Sequence, residues 1–177
     1  MGWLTLHRPR GLTDKEFFQG QMGSSYKVLE TGRDGRTAYL AVEHPEGYVF
    51  GMVCLLHLAP RSDYNFGYKD MDESMGPNED RCPEKVLNLL SPLDEFPHSN
   101  DYAADWRKRC EANLAAKKAL PKVKKGDTII LEEPVTLTDG REVKEFVFDG
   151  KFRAKFGEYG LMRLPRDWKR RFKFTVA

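Results

Sequence analysis

The stretch Tyr48-Val49-Phe50-Gly51-Met52-Val53-Cys54-Leu55-Leu56-His57-Leu58 decides how this chain folds. It is apolar at nearly every position, so a strand made of it presents two greasy faces and belongs inside a sheet covered on both sides. His44-Pro45-Glu46-Gly47, a turn signal, leads into it. Upstream, residues 37–43 alternate, with Ala38, Leu40 and Val42 on one face and Tyr39 and Ala41 on the other. Arg33-Asp34-Gly35-Arg36 joins these to a further strand at residues 26–31, because Asp-Gly tolerates the positive φ of a tight hairpin. Three strands in succession make an antiparallel meander. Before them come a short aromatic strand at residues 3–7, beginning with Trp3, and the capping box Thr13-Asp14-Lys15-Glu16. The box opens a helix through Met22 that turns Phe17 and Phe18 inward and ends at Gly23.

Downstream the pattern breaks. Residues 63–99 carry Gly67, Gly76, Pro77, Pro83, Pro92 and Pro97, which reads as a polar loop over 61–82 and then a short helix entered at Pro83 and ending near Leu90. Residues 101–120 are the best helix in the chain, rich in Ala, Lys, Arg and Leu, capped by Asn100 and stopped by Pro121. Its apolar stripe, through Ala103, Trp106 and Cys110, is thin, so one side packs and the other is solvated. From residue 123 the period switches to two, giving strands at 128–131, 144–148, 151–156, 161–164 and 172–176 with turns at Gly126, Gly140 and Gly150. The expectation is an α+β protein. An N-terminal antiparallel meander with helices fills residues 1–120, and a small barrel-like sheet fills 121–177, the two forming one unit.

At 177 residues and 40% hydrophobic, the chain can bury a core without staples, and a net charge of +2 argues against charge-driven disorder. Cys54, Cys82 and Cys110 are odd in number and form no CxxC pair, which argues against a disulfide framework and a structural zinc site and fits reduced thiols in the cytoplasm. No apolar run reaches the roughly 18–20 residues of a membrane helix. The opening has no basic-then-apolar signal region, and Leu6 breaks the myristoylation pattern begun by Met1-Gly2. No membrane association is expected.

The small net charge hides an asymmetry. Residues 63–101 hold ten acidic side chains against three basic ones, whereas residues 121–177 hold fourteen basic against nine acidic, so two regions of opposite sign are expected. At the C-terminal end Arg163, Arg166, Lys169, Arg170, Arg171 and Lys173 interleave with Trp168, Phe172 and Phe174. Cations beside aromatic rings can hold phosphates and stack bases, with Trp168 as the stacking ring. The same alternation also describes an edge strand that keeps its lysine outside. In the acidic region Tyr64, Tyr68, Lys69, Asp70, Asp72 and Glu73 make a loop able to enter a partner's basic groove. Asp70, Asp72 and Glu73 are near enough in sequence to share Mg²⁺ or Mn²⁺, although EF-hand spacing is absent and solvated loop carboxylates are the simpler reading. His57, at the end of the apolar strand, is the histidine to test as a general base. Cys82 beside Pro83 stands at a helix start, where a thiol pKa falls. There is no G-x-S-x-G, Walker loop, G-x-G-x-x-G or H-E-x-x-H.

Met1-Gly2-Trp3 with His7-Arg8-Pro9, and Tyr64-Asn65-Phe66-Gly67-Tyr68-Lys69-Asp70-Met71-Asp72-Glu73 followed by Met75-Gly76-Pro77, resemble an uncharacterised family, a domain of unknown function carried by bacterial plasmids, conjugative elements and phages. The resemblance spans most of the chain and implies no particular activity. It implies a setting, that of accessory or counter-defence proteins, which act by binding. The Lys124-Lys125-Gly126-Asp127 turn is similar to turns in PUA-like and SH3-like barrels. The leading expectation is a non-enzymatic binding protein that engages nucleic acid or a nucleic-acid-handling protein, with no cofactor. The alternatives are a Mg²⁺- or Mn²⁺-dependent hydrolase or nuclease using the acidic loop, and an inhibitor that presents that loop to a protein partner.

Overall fold

The apolar stretch becomes β4 (Val49–Leu58), the middle strand of a five-stranded antiparallel sheet ordered β1-β5-β4-β3-β2. The structure, a computed structural model, describes residues 4–7, 11–58, 65–150, 152–157, 160–165 and 167–177, with backbone alone at 4–7, 57–58 and 65–68. Around β4 stand β1 (Leu4–His7), β2 (Lys27–Asp34), β3 (Thr37–Glu43) and β5 (Asn65–Asp72). The meander runs as its alternation predicts. Tyr39 faces Val53 and Leu40 faces Met52 across the β3–β4 ladder, and residues 38–42 are buried on both faces.

Each face of this sheet has its own cover. On one, Val28, Leu40, Val42, Phe50 and Cys54 pack with Phe17 and Phe18 of α1 (Asp14–Met22) and with Phe96. The Thr13 capping box forms, the Thr13 hydroxyl accepting from the Glu16 amide while the Glu16 carboxylate accepts from the Thr13 amide. On the other face, Tyr39, Ala41 and Val53 meet Cys82, Val86 of α2 (Glu84–Leu87), and Trp106 and Cys110 of α3 (Asp101–Ala119). Asn100 caps α3, its side-chain oxygen accepting from the Ala103 amide at 3.0 Å. Gly51 sets how near α3 comes, since a Cβ there would lie 2.9 Å from the Trp106 ring. Burying one side chain of Trp106 or Tyr39 size is worth about 1.5–3 kcal/mol, so this face alone supplies a large part of the unit's stability.

One element differs from the reading of residues 61–82 as a loop. Residues 65–72 are strand β5, laddered on one side to β4, with Cys54 opposite Asp70 and Met52 opposite Asp72, and on the other to β1. A 3₁₀ turn at Glu73–Met75 follows. Two neighbouring ladders supply the hydrogen bonds that a glycine- and aspartate-bearing segment does not favour by propensity.

The chain divides into Met1–Ala116 and Lys117–Ala177. The second unit is also antiparallel, with β6 (Thr128–Thr136), β7 (Glu142–Gly150), β8 (Arg153–Lys155), β9 (Leu161–Arg163) and β10 (Phe174–Val176) in the order β10-β6-β7-β8-β9. Its described strands leave β9 and β10 as edges, so this sheet is not closed into a barrel. Ile129, Leu131, Phe146, Ala154, Leu164 and Phe174 form its core. A four-residue helix, α4 (Trp168–Arg171), precedes β10, whereas alternation alone predicts only strand there. Among the described residues no helix is long and apolar enough to cross a membrane.

Candidate functional site

Two carboxylates of the acidic segment, Glu73 and Asp80, are paired within their own unit. Glu73 is 0% exposed. Its Oε1 accepts from the Gly51 amide at 2.9 Å and from Arg107 Nη2 at 2.7 Å, and its Oε2 accepts from Arg107 Nε. Arg107 also donates through Nη1 to the Ser91 carbonyl at 2.6 Å, so each of its three guanidinium nitrogens is engaged. Two residues further along α3, Arg109 pairs with Asp105 at 2.8 Å and Asp80 at 3.3 Å and donates to the Pro77 carbonyl at 2.8 Å. Asp72 turns its Oδ1 onto the Ser74 amide at 2.8 Å and caps the 3₁₀ turn.

Glu73 is therefore a structural carboxylate, sealed against Arg107, where the sequence reads as a solvated loop. With both oxygens engaged it offers nothing to a cation shared with Asp70 and Asp72. Among the described residues no three His, Cys, Asp or Glu side chains converge as metal ligands. Lys69 and Asp70 are half-buried on β5. Tyr64 lies outside the described residues, as do Arg8, Pro9 and Arg10; Tyr68 and His57 are described by backbone alone, His57 pairing with Gly67 at the end of β4. Cys54, Cys82 and Cys110 are all free and buried. Burial pushes the Cys82 thiol up, the reverse of what its place before α2 predicts; α2 is too short to offset the loss of hydration.

The second unit carries the positive charge, with sixteen Lys or Arg against nine Asp or Glu, while the first has thirteen against eighteen; the accessible cations must be sought on the second. Arg163 on β9 stands directly across from Arg153 on β8. Like charges in that relation repel. Asp149 is the one described carboxylate beside them, 3.4 Å from Arg153, and it is shared with Lys125 at 3.2 Å. Lys155, two residues on, lies on the same outward face, in a row with the exposed Val147 and Leu161. The hairpin tip between β7 and β8 holds Phe152, 41% exposed and at φ 62°. Positive φ is a genuine outlier for a bulky aromatic. Its carbonyl accepts from the Leu164 amide at 2.7 Å, which fixes the tip against β9's exit.

The α4 cations divide by role. Lys169 donates to the Pro121 carbonyl at 3.3 Å and stands 5.7 Å over the Trp168 ring. Arg171 makes a loose pair with Asp167 at 3.8 Å. Arg170 and Lys173 are exposed, and Arg166 lies outside the described residues. Trp168 is 2% exposed, packed 5.0 Å from Phe174 and 5.6 Å from Phe146 and Phe148, so it is core and offers no face to a base. Sequence reading missed Phe152, Arg153 and Lys155. The alternation Arg153-Ala154-Lys155 was the available signal, since a buried Ala154 puts both cations outside.

A family described as a domain of unknown function (DUF6927) matches residues 97–171, from the residues before α3 to the end of α4. Searches among curated proteins and among solved structures gave no match.

Proposed function

We propose that the chain is a non-enzymatic binding protein whose second unit engages nucleic acid through the β8–β9 edge and the exposed cations of α4. The observation that carries the reading is the Arg153–Arg163 pair, two exposed arginines opposite each other in the β8–β9 ladder, with Asp149, which Arg153 shares with Lys125, as the described carboxylate beside them. Such a pair costs the sheet stability when alone and is relieved by a phosphate between or beside the guanidinium groups. Arg170, Arg171 and Lys173 add further positive charge, and Phe152 takes the stacking role that buried Trp168 does not fill. The resemblance of the N-terminal and central motifs to a family of mobile elements favours an accessory, binding role over a metabolic one.

Fluorescence anisotropy with labelled oligo(dT) and oligo(U), titrated with salt, tests the reading. If four cations neutralise phosphates, log K should fall with log salt at a slope of about −3 for a single strand. Replacing Arg153 and Arg163 together by alanine should flatten that slope and weaken binding by about tenfold or more. No binding of either strand at low salt, or an unchanged slope in the double variant, refutes it.

A further inference from the structure

At the end of the first sheet where β3, β4 and β5 meet their turns, the side chains leave a cavity of about 180 Å³. Its walls are aromatic. Tyr26, from the approach to β2, meets His44 edge-on at 5.3 Å, and His44 stacks on Tyr48 at 4.4 Å with the rings 13° from parallel. Phe50 and Phe96 close the deep side, 6.3 Å apart and almost parallel, and His98 stands edge-on to Phe96 at 6.0 Å. Among the described residues one carboxylate faces this space, that of Asp72. Its Oδ1 is held by Ser74, while Oδ2 has no partner among the described residues. Among the described residues no Lys or Arg lines the cavity.

These features select a ligand by charge, size and shape. An anion would meet Asp72 and find no fixed cation to pair with. A neutral apolar ligand would cover Asp72 and leave its charge desolvated and unpaired, which is costly. A bare metal ion would find a single carboxylate where a stable site needs several oxygens. An organic cation meets neither difficulty, since ring faces attract it and a carboxylate balances it. The negative potential extends to the rim, where Glu46 stands 3.6 Å from His44. Burial, with the charges of Glu46 and Asp72, pushes the Tyr48 hydroxyl's pKa up, so the ring stays neutral. For size, a cavity of roughly 150 Å³ accepts a benzene ring, so this one takes a single ring or a trimethylammonium group and little more.

We infer that this pocket binds a small organic cation of the methylated-ammonium class. The site lies within Met1–Ala116 and uses none of the C-terminal cations. Trimethylammonium groups occur on free metabolites, on methylated lysines and on lipid headgroups, and one chemistry would recognise all three.

Titration calorimetry on the full chain uses choline, its neutral carbon isostere 3,3-dimethylbutan-1-ol, a trimethyllysine peptide and phosphatidylcholine vesicles as probes. Choline should bind at least about tenfold more tightly than the isostere. Asp72→Asn, which keeps an oxygen for the Ser74 cap, should remove most of that preference. Tyr48→Leu should weaken choline about tenfold while Tyr48→Phe keeps it, and melting curves separate lost binding from lost folding. Whichever of choline, peptide or vesicle binds most tightly identifies the natural source, and a cation preference with any of them supports the assignment. Equal affinity for choline and its isostere, no heat with any probe, or an unchanged preference in Asp72→Asn overturns it.

Discussion

Replacing Arg107 by methionine removes the one positive charge that answers Glu73 while keeping most of the side chain's length. Glu73 then remains 0% exposed with only the Gly51 amide to bond it. Breaking a buried pair by deleting one partner costs about 3–5 kcal/mol, because an uncompensated charge stays behind. Against a typical total of roughly 5–15 kcal/mol, that is about a fifth or more of the stability of this unit. At about 4 °C per kcal/mol for a domain of this size, the melting point should fall by roughly 12–20 °C. Glu73→Gln should cost less, about 1–3 kcal/mol, since Arg107 is at the margin of the core, 13% exposed, and can turn toward water. Glu73→Leu combined with Arg107→Met should cost less than the two single losses together. Only the Gly51 amide and the Ser91 carbonyl are then orphaned, and coupling of at least about 2 kcal/mol is expected. Urea unfolding, with amide exchange at Gly51 to report on this unit rather than the other, gives the numbers. An Arg107→Met protein within about 1 kcal/mol of the parent would mean that water reaches Glu73, and the acidic segment would regain its claim to be a docking loop.

Three further outcomes follow from the geometry. Gly51→Ala places a methyl 2.9 Å from the Trp106 ring and should destabilise by about 1–3 kcal/mol in urea unfolding; a neutral result would show that α3 can shift on the sheet. Phe152→Gly relieves a left-handed backbone position but deletes the exposed ring. Single-strand affinity should therefore fall about 5- to 100-fold while melting moves by only a few degrees, and unchanged affinity removes Phe152 from the interface. Burial pushes the Cys110 thiol up to about 12 and the Cys54 and Cys82 thiols up as well. Raised values mean almost no thiolate at pH 8, so a disulfide reagent should titrate no thiol quickly in the native protein and all three in urea; one fast native thiol contradicts this packing.

The legibility of the chain follows how local each cause is. Residues 48–58 announce a central strand because burial on both faces is written in every consecutive side chain, and the Thr13 box announces α1 because its partner is three residues away. Strand β5 is hidden because its residues resemble a turn, and its ladders to β1 and β4 are made with distant chain. The burial of Glu73 is hidden for the same reason, its partner being 34 residues on. The C-terminal segment held a local signal that the reading by alternation passed over. Trp168 and Phe172 are four apart, the spacing of one helical face, with Lys169, Arg170 and Arg171 between them. In α4 that spacing drives the indole inward, so one short helix converts a supposed base-stacking ring into core and leaves Arg170 outside.

The fate of the two charged regions bears directly on function. Segregated charge has two outcomes in a folded chain: the signs are satisfied inside, or they remain accessible and act on something else. Glu73 and Asp80 take the first course, met by Arg107 and Arg109 of the same unit. Those arginines come from α3, within Met1–Ala116. Within the second unit Asp149 is shared between Lys125 and Arg153, Asp139 is held by Arg141, and Asp167 is only loosely held by Arg171. On the binding role proposed above, Arg153 opposite Arg163 is the source of a positive potential that steers polyanions, and it should weaken with salt in a way that internal pairs of the Glu73 type do not.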